Sequence, residues 1–574
     1  MRNFEVAFIF YDIADMLEIK GENFFKIRAY RRAAYTIENL TMEIEDLAKQ
    51  SRLSEIQGIG KALSEKIYEI LNTGTSGYYQ ELKNEVPRGL VEMLKVPGLG
   101  PRKIKLIYDH LGISSIEELK KAARSRKLSK LPGIGVKTEQ AILKGIKTLQ
   151  GNTGKVLLAS ALPIAERVVS LLSSMTEVID IKIAGSLRRK KEMVKDIVIV
   201  IATNEPEIII EDFLRFPPIA QVLAKGLTKV SVLLNMGIQL DLRVVKPESF
   251  YSTLQHFTGS KEHNTKLRSL ALKMDYKLNE YGILKKDSEE IYYPKSEEDF
   301  YSKLGIPYII PELREDRGEI EAAMEGVLPN VVELKDIRGD LHIHSNFSDG
   351  VSSIEAIAKK AKELGYEYIA ITDHSKSLKI AGGLDERQLK EQIHLIRKLN
   401  ESIEGLHILT GIEVDILGDG RLDFEDEILK ELDVVIASIH SGFKQDRHTI
   451  TQRIINACKN PYVNIIAHPT GRLLGRRDPY DVDMDMVFGA AAATGTVLEI
   501  NSSPDRLDLN DIMVKQAKEQ GISIAINTDS HDKETLEEIK YGVWVARRGW
   551  LEKSDIINTL PLTKLIELLN RKKL

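Results

Sequence analysis

The chain of 574 residues has one cysteine, Cys458, which excludes an internal disulfide and a cysteine-based metal site. Cys458 lies in the helix-like stretch RIINACKN and reads as a buried filler. No apolar run approaches the length of a membrane span. The N-terminal MRNFEVAFIF is broken by Glu5 and soon after by Asp12, which excludes a signal peptide. No membrane partner and a cytoplasmic location are therefore expected. A charge excess is missing as well: 81 basic residues face 85 acidic ones, so net charge does not announce a nucleic-acid binder. The sign is uneven along the chain, because Lys and Arg outnumber Asp and Glu between Lys95 and Lys155. Low-complexity tracts are absent. The length implies several domains.

What is present is histidine in a pattern. RGDLHIHSNFSDG, Arg338 to Gly350, ends an apolar-alternating run in His342 and His344, followed by Asp349. On a strand, residues two apart share a face, so both imidazoles can reach one metal. The arrangement recurs: YIAITDHS brings Asp373 and His374, ILTGIEVDIL brings Glu413 and Asp415, VVIASIHS brings His440, VNIIAHPT brings His468, and SIAINTDSH brings Asp529 and His531. Each is an apolar run with polar residues at its C-terminal end, and helix-like stretches separate most of them. A β/α barrel builds a site at one rim in this way. A single histidine of this kind reads as structural; six of the chain's 12 at the ends of such runs do not. The nine candidate ligands (His342, His344, Asp349, His374, Glu413, His440, His468, Asp529, His531) are too many for one tetrahedral zinc. Mixed imidazole and carboxylate donors suit two or three zinc, manganese or iron ions, which activate water and hold phosphate oxygens. These motifs resemble the polymerase and histidinol phosphatase (PHP) domain over residues 337–574. The resemblance implies a distorted seven-stranded barrel, a trinuclear centre, all nine ligand positions filled, and phosphoester hydrolysis. Glu413 is the residue expected to bridge two ions, with Asp529 and His531 completing the third.

Residues 1–85 read as helices that contain IQGIGKALSEKIYEIL, with Gly58 and Gly60. VPGLGPRKIKLIYDHLG repeats the pattern with Gly98 and Gly100, and LPGIGVKTEQAILKGI repeats it with Gly133 and Gly135. Such turns aim helix-start amides outward, where they can bind phosphate. Lys61, Arg102 and Lys137 lie beside them. One such turn is ordinary punctuation; three in register read as helix-hairpin-helix motifs that grip the DNA backbone without reading sequence. IKIAGSLRRKKEMVKDIVIVIAT, Ile181 to Thr203, reads strand, turn, basic loop, strand. Gly185 and Ser186 can offer donors to a triphosphate, with charge from Arg188, Arg189 and Lys191. Asp241 falls in mid-strand in VLLNMGIQLDLRVVKPESF, a costly place for a carboxylate unless paired or metal-bound.

The order of these motifs, completed by LQHFTGSKEHNTKLR, resembles family X DNA polymerases over residues 1–315, and the whole chain resembles their bacterial and archaeal members that carry a PHP domain. The resemblance implies a multidomain α/β chain: an N-terminal helical DNA-binding domain (1–85), two further hairpins (86–150), a nucleotidyltransferase palm (151–247), a thumb (248–315), a linker (316–336) and the PHP domain (337–574). It places Ser186 and Arg189 on the triphosphate, Phe257 and Gly259 at the sugar, and Asn264 and Arg268 near the nascent base pair. It makes Asp196 and Asp241 two of three metal-binding aspartates, served by magnesium or manganese. The chain departs from the family at Val198, where a third Asp is expected, and at His256, where Tyr is common. Lys66 matches a lysine that forms a Schiff base with an abasic sugar in some members; a solvated lysine on a DNA-facing helix is the preferred reading. Arg472, Arg476 and Arg477 follow His468 and are expected either to touch the DNA backbone or to belong to a solvated loop. The expected partners are gapped, primer-template or single-stranded DNA ends and a deoxynucleoside triphosphate. A monomer is expected.

Overall fold

The computed structural model describes residues 3–38, 44–56, 58–73, 75–94, 96, 99–151, 155–216, 219–235, 237–288 and 290–573. The chain divides into two compact units, Met1–Thr153 and Gly154–Leu574. The first is helical. Its core joins Val6, Phe10, Ile13 and Leu17 to the apolar faces of later helices, through Ile67, Ile104, Leu119 and Ile142. Three helices start just after the paired-glycine turns: Lys61–Thr73, Pro101–Leu111 and Val136–Gly151.

The second unit holds palm, thumb and barrel. The palm is a five-stranded mixed sheet in the spatial order Asp180–Ala184, Asp196–Ala202, Gln239–Val245, Lys229–Leu234, Ile219–Lys225. Alternation splits the strand Asp196–Ala202 between two cores. Ile197, Ile199 and Ile201 join the main core, while Val198, Val200 and Ala202 pack with Phe250 and Leu254. The thumb core gathers Leu267, Phe300, Tyr301 and Ile320, with Trp550 against it. Residues 316–336 are not a free linker. They form the helix Glu319–Glu325, whose Glu319 and Ile320 are buried, because its apolar face completes the thumb core.

The C-terminal region is a barrel of seven strands, all neighbours parallel: Gly339–Ile343, Tyr368–Ile371, His407–Asp415, Val434–Ser438, Ile465–Ile466, Val497–Asn501 and Ile524–Asn527. A parallel bridge between Ile343 and Ser530 brings the first and last strands together. These strands are buried on both faces, hence their near-continuous Ile, Val and Ala. Helices such as Ile354–Glu363 and Glu386–Asn400 cover the outside, and each starts on a side-chain cap, from Ser353 and Asp385 respectively. Among the described residues no helix is long and apolar enough to cross a membrane.

Candidate functional site

All nine barrel residues lie in or just past the C-terminal ends of the parallel strands, and their side chains converge. Glu413 is at the centre with no exposed side chain. Its Oε2 lies 2.8 Å from His374 Nδ1 and 3.6 Å from the Nε2 atoms of His342 and His344; its Oε1 lies 3.0 Å from His468 Nε2 and 3.4 Å from His440 Nε2. Asp529 Oδ1 faces His344 Nε2 at 3.1 Å and His342 Nε2 at 3.5 Å. Asp349 Oδ1 faces His531 at 3.4 Å and His374 at 3.6 Å. Three overlapping groups have donor atoms within 4.8 Å of one another: His344, Asp349, His374 and His531; His342, His344 and Asp529; His374, Glu413 and His440.

The donors fit divalent ions. The buried atoms His344 Nδ1, His468 Nδ1 and Glu413 Oε2 have no hydrogen-bond partner, an unfavourable state unless a cation takes them. Burial and the neighbouring His531 and His374 push the His344 imidazole down to about 3, which keeps it in the neutral form that ligation requires. His468 and Asp529 adopt left-handed backbone, φ 28° and 55°, strain of the kind found at functional sites. A second layer, not singled out among the candidate ligands, fixes the first. Glu499 Oε1 accepts from His342 Nδ1 at 2.8 Å and its Oε2 accepts from the His468 amide at 2.8 Å. Asp415 holds His440 Nδ1 at 2.9 Å. Asp373 accepts from Ser345, Ser348 and Gln392 and anchors the loop after His344. Glu499 lies mid-strand in VLEIN, so the cost of a buried carboxylate was a usable signal for it. Arg506, whose Nη2 lies 3.8 Å from Asp529 Oδ2, left no pattern in the sequence.

In the palm, Val198 stands in register with Asp241 on the neighbouring strand, and Asp196 lies two residues before it on the same face. Burial and the charge of Asp241 raise the Asp196 carboxyl. Burial also pushes Asp241 up, but hydrogen bonds from Gln239 and Lys229 outweigh it; Gln239 Nε2 donates at 2.8 Å and Lys229 Nζ lies at 3.0 Å. Among the described residues neither aspartate belongs to a group of three metal donors. Gly185 takes φ 68° and opens the short turn that carries Ser186.

Two residues expected to meet the nucleotide are engaged elsewhere. Arg189 donates to Glu315 at 2.9 Å and to the Thr258 carbonyl, because buried Glu315 requires a cation. Asn264 uses both ends of its amide, accepting from Gln255 and donating to the His256 carbonyl. Gly259, φ 72°, brings the backbone against Arg189; a Cβ there would lie 2.9 Å from Nη1. Phe257 lies over the Arg243 guanidinium, and Arg268 lies exposed near His256. Arg472 is engaged within the protein. It donates to Glu192 of the palm and to the carbonyls of Arg506 and Leu507. Arg477 donates to the Gly471 carbonyl and stacks over Phe443, while Arg476 is exposed on the rim.

In the N-terminal unit the three turns close with the same bond: Ile59 N to Ile56 O, Leu99 N to Val96 O, and Ile134 N to Leu131 O. Gly58 and Gly133 take φ 87° and 77°. A Cβ on Gly60, Gly100 or Gly135 would meet nothing within 4 Å, so each helix start is open to a close-approaching backbone. Lys61, Arg102 and Lys137 are exposed beside them. Gly98 lies outside the described residues. Lys66 is half-buried with its ammonium over the Tyr78 ring at 5.1 Å.

The comparisons with known proteins divide the chain along the same features. A helix-hairpin-helix domain family matches residues 1–76, a SAM-like helix-hairpin-helix tandem 90–148, the DNA polymerase beta thumb 253–315, and the PHP domain 340–503. A Bacillus subtilis (strain 168) protein named DNA polymerase/3'-5' exonuclease PolX is 42% identical over 561 residues, which is 97% of this chain and 98% of the relative. Over the barrel, a Thermoanaerobacter protein named as a probable phosphatase is 34% identical across 245 residues, 41% of this chain and 95% of its own length. Identity sustained through hairpins, palm, thumb and barrel means that the chain belongs to the bacterial family X DNA polymerases that carry a C-terminal PHP domain.

Proposed function

We propose that the barrel is a metal-dependent 3'-5' exonuclease on DNA and that the polymerase half binds DNA and nucleotide but synthesises weakly. The convergence of eight ligand-type side chains into three overlapping groups, with His468 Nε2 3.0 Å from Glu413, carries the first part. The name of the Bacillus relative supports the direction of cleavage. Manganese, zinc or iron suits the donors, and such ions, when bound, supply Lewis acidity and activated water. The chain's own contribution is orientation. Glu413 reaches imidazoles through both oxygens, the geometry of a bridging carboxylate. Glu499 and Asp415 hold the rings of His342 and His440, which fixes the nitrogen each turns to the centre. The paired-glycine turns supply sequence-independent grip on the strand. In the palm, magnesium or manganese would rest on Asp196 and Asp241 alone, since Val198 offers only methyl groups.

The test uses a 3'-labelled and a 5'-labelled primer with manganese, with and without nucleotides. A 5'-labelled ladder shortening from the 3' end is expected. Replacing His342 and His344 together by Ala should abolish it and leave DNA binding intact; unchanged shortening in that variant would refute the site. A second reading keeps a gap-filling polymerase with the barrel as an accessory phosphatase or abasic-site endonuclease, and the phosphatase names of barrel-only relatives favour it. Release of phosphate from a monoester without loss of primer length would establish that reading instead.

A further inference from the structure

We infer that Lys229 is a built-in cation of the palm: its ammonium holds Asp241 and competes with a divalent ion for that carboxylate. This rests on the reading that the polymerase half synthesises weakly, and it names a second cause beside Val198. The strand Lys229–Leu234 runs antiparallel to Gln239–Val245, with Ser231 opposite Asp241 and Lys229 opposite Arg243. Residues paired across a ladder share a face. Lys229, Gln239, Asp241 and Arg243 therefore stand on the face that carries Asp196 and Val198. Lys229 is diagonal to Asp241, a separation that a long side chain spans. Its Nζ lies 3.0 Å from Asp241 Oδ2. Asp241 Oδ1 accepts from Gln239 Nε2 at 2.8 Å, and Arg243 Nη2 stands 4.0 Å from Oδ2. Each oxygen of Asp241 thus has a protein donor, and one of those donors is charged.

The barrel shows the opposite arrangement. Glu413 Oε2 is buried without a hydrogen-bond partner, so a cation arriving there meets an uncommitted oxygen. At Asp241 an arriving ion meets a carboxylate whose charge is already compensated, with an ammonium 3.0 Å away that repels it. The Asp241 side chain is 9% exposed, and charges at that depth act on one another more strongly than charges in open solvent. Val198 brings no charge to tip the contest toward the ion. The Lys229 side chain is 36% exposed. Lysine is a compact charge on a flexible stem, so removing that charge leaves the strand pairing untouched. Arg243 is a poorer rival for the same oxygen, since 4.0 Å is beyond hydrogen-bond range and its guanidinium rests over Phe257.

The experiment titrates the full chain with manganese and reads the free ion by electron paramagnetic resonance. The barrel takes ions in every variant, so the palm is read as the difference that Asp241→Asn makes. In the wild-type background that difference should be small. Lys229→Met, which keeps the length and removes the charge, should tighten binding at one site by about tenfold or more, because a cation that close lowers a carboxylate's affinity for a proton by a similar factor. Adding Asp241→Asn to Lys229→Met should remove the gain. Lys229→Gln, a second uncharged replacement, should repeat it, and Lys229→Arg, which keeps the charge, should bind as the wild type does. Unchanged melting temperatures would show that the sheet is intact in each. A Lys229→Met isotherm that superimposes on the wild type would overturn the inference, as would a gain that survives Asp241→Asn. If the wild-type chain extends primers robustly while Lys229→Met still gains manganese, the weak-synthesis reading falls and this one stands. Weak synthesis without that gain would leave Val198 as the whole cause, and this inference would fall alone.

Discussion

On the proposed reading, Val198 limits what the palm can hold. Two cations about 3.5–4 Å apart repel, and carboxylates between them are what keeps both in place. Here the position in register with Asp241 is filled by methyl groups packed toward Phe250 and Leu254. Val198→Asp should raise primer extension by orders of magnitude, read in a background lacking His342 and His344 so that degradation does not mask synthesis. No gain would show that more than one carboxylate is missing. The convergence of the barrel side chains was legible because most of them close apolar runs, where a polar side chain has few other reasons to be; Asp349, on the loop beyond its strand, is the exception. Arg189 and Asn264 were not legible in the same way. Glu315, which claims Arg189, lies 126 residues away in sequence, and motif order says nothing of such partners. Glu499 carried the signal of a mid-strand carboxylate. Glu499→Gln keeps the shape but weakens the hold on His342, so bound manganese should fall by about tenfold or more in affinity, measured by metal titration.

At the level of elements, the hairpin turns and the barrel strands follow from local rules. Paired glycines ahead of a helix, and apolar runs ended by ligand-type residues, describe them almost completely. The helix Glu319–Glu325 does not follow from such rules. Its surroundings in sequence are charged and proline-punctuated, and only the thumb core it completes explains it. The turns permit a clean test of DNA grip. Gly100 has extended backbone, φ −81° and ψ 167°, and open space where a Cβ would go. Gly100→Val should therefore fold normally yet crowd an approaching phosphate. Affinity for DNA of any sequence should drop by a similar factor, and wild-type affinity should fall steeply with salt. A sequence-selective loss in filter binding would count against the backbone-grip assignment.

Across the second unit, palm, thumb and barrel are joined by buried charge. Glu315 of the thumb accepts from Arg189 of the palm and from Arg548 of the barrel, with Lys191 at 3.3 Å; Arg548 continues to Asp511, which Arg317 also reaches. Glu192 of the palm grips Arg472 beside the barrel site. Removing Glu315 takes from Arg189 and Arg548 the buried carboxylate they share, so Glu315→Ala should cost about 3–5 kcal/mol in denaturant unfolding. Burial alone would raise the Glu315 carboxyl, but Arg548 and Arg189 pull it to about 2, below its ordinary 4.5. A carboxylate depressed by folding contributes stability above its unfolded value and loses it as pH falls through the folded one. Unfolding midpoints should therefore drop between pH 4.5 and 2, and the drop should shrink in Glu315→Ala.

That same junction has a consequence for how a primer end travels. With palm and barrel in one compact unit, a primer end held at the palm would have to unpair to reach the barrel site. Fraying then becomes the toll gate for digestion. Ends that breathe easily, being mismatched or rich in A·T pairs, should be trimmed faster than firmly paired ones, giving discrimination against errors without any pocket that inspects the base.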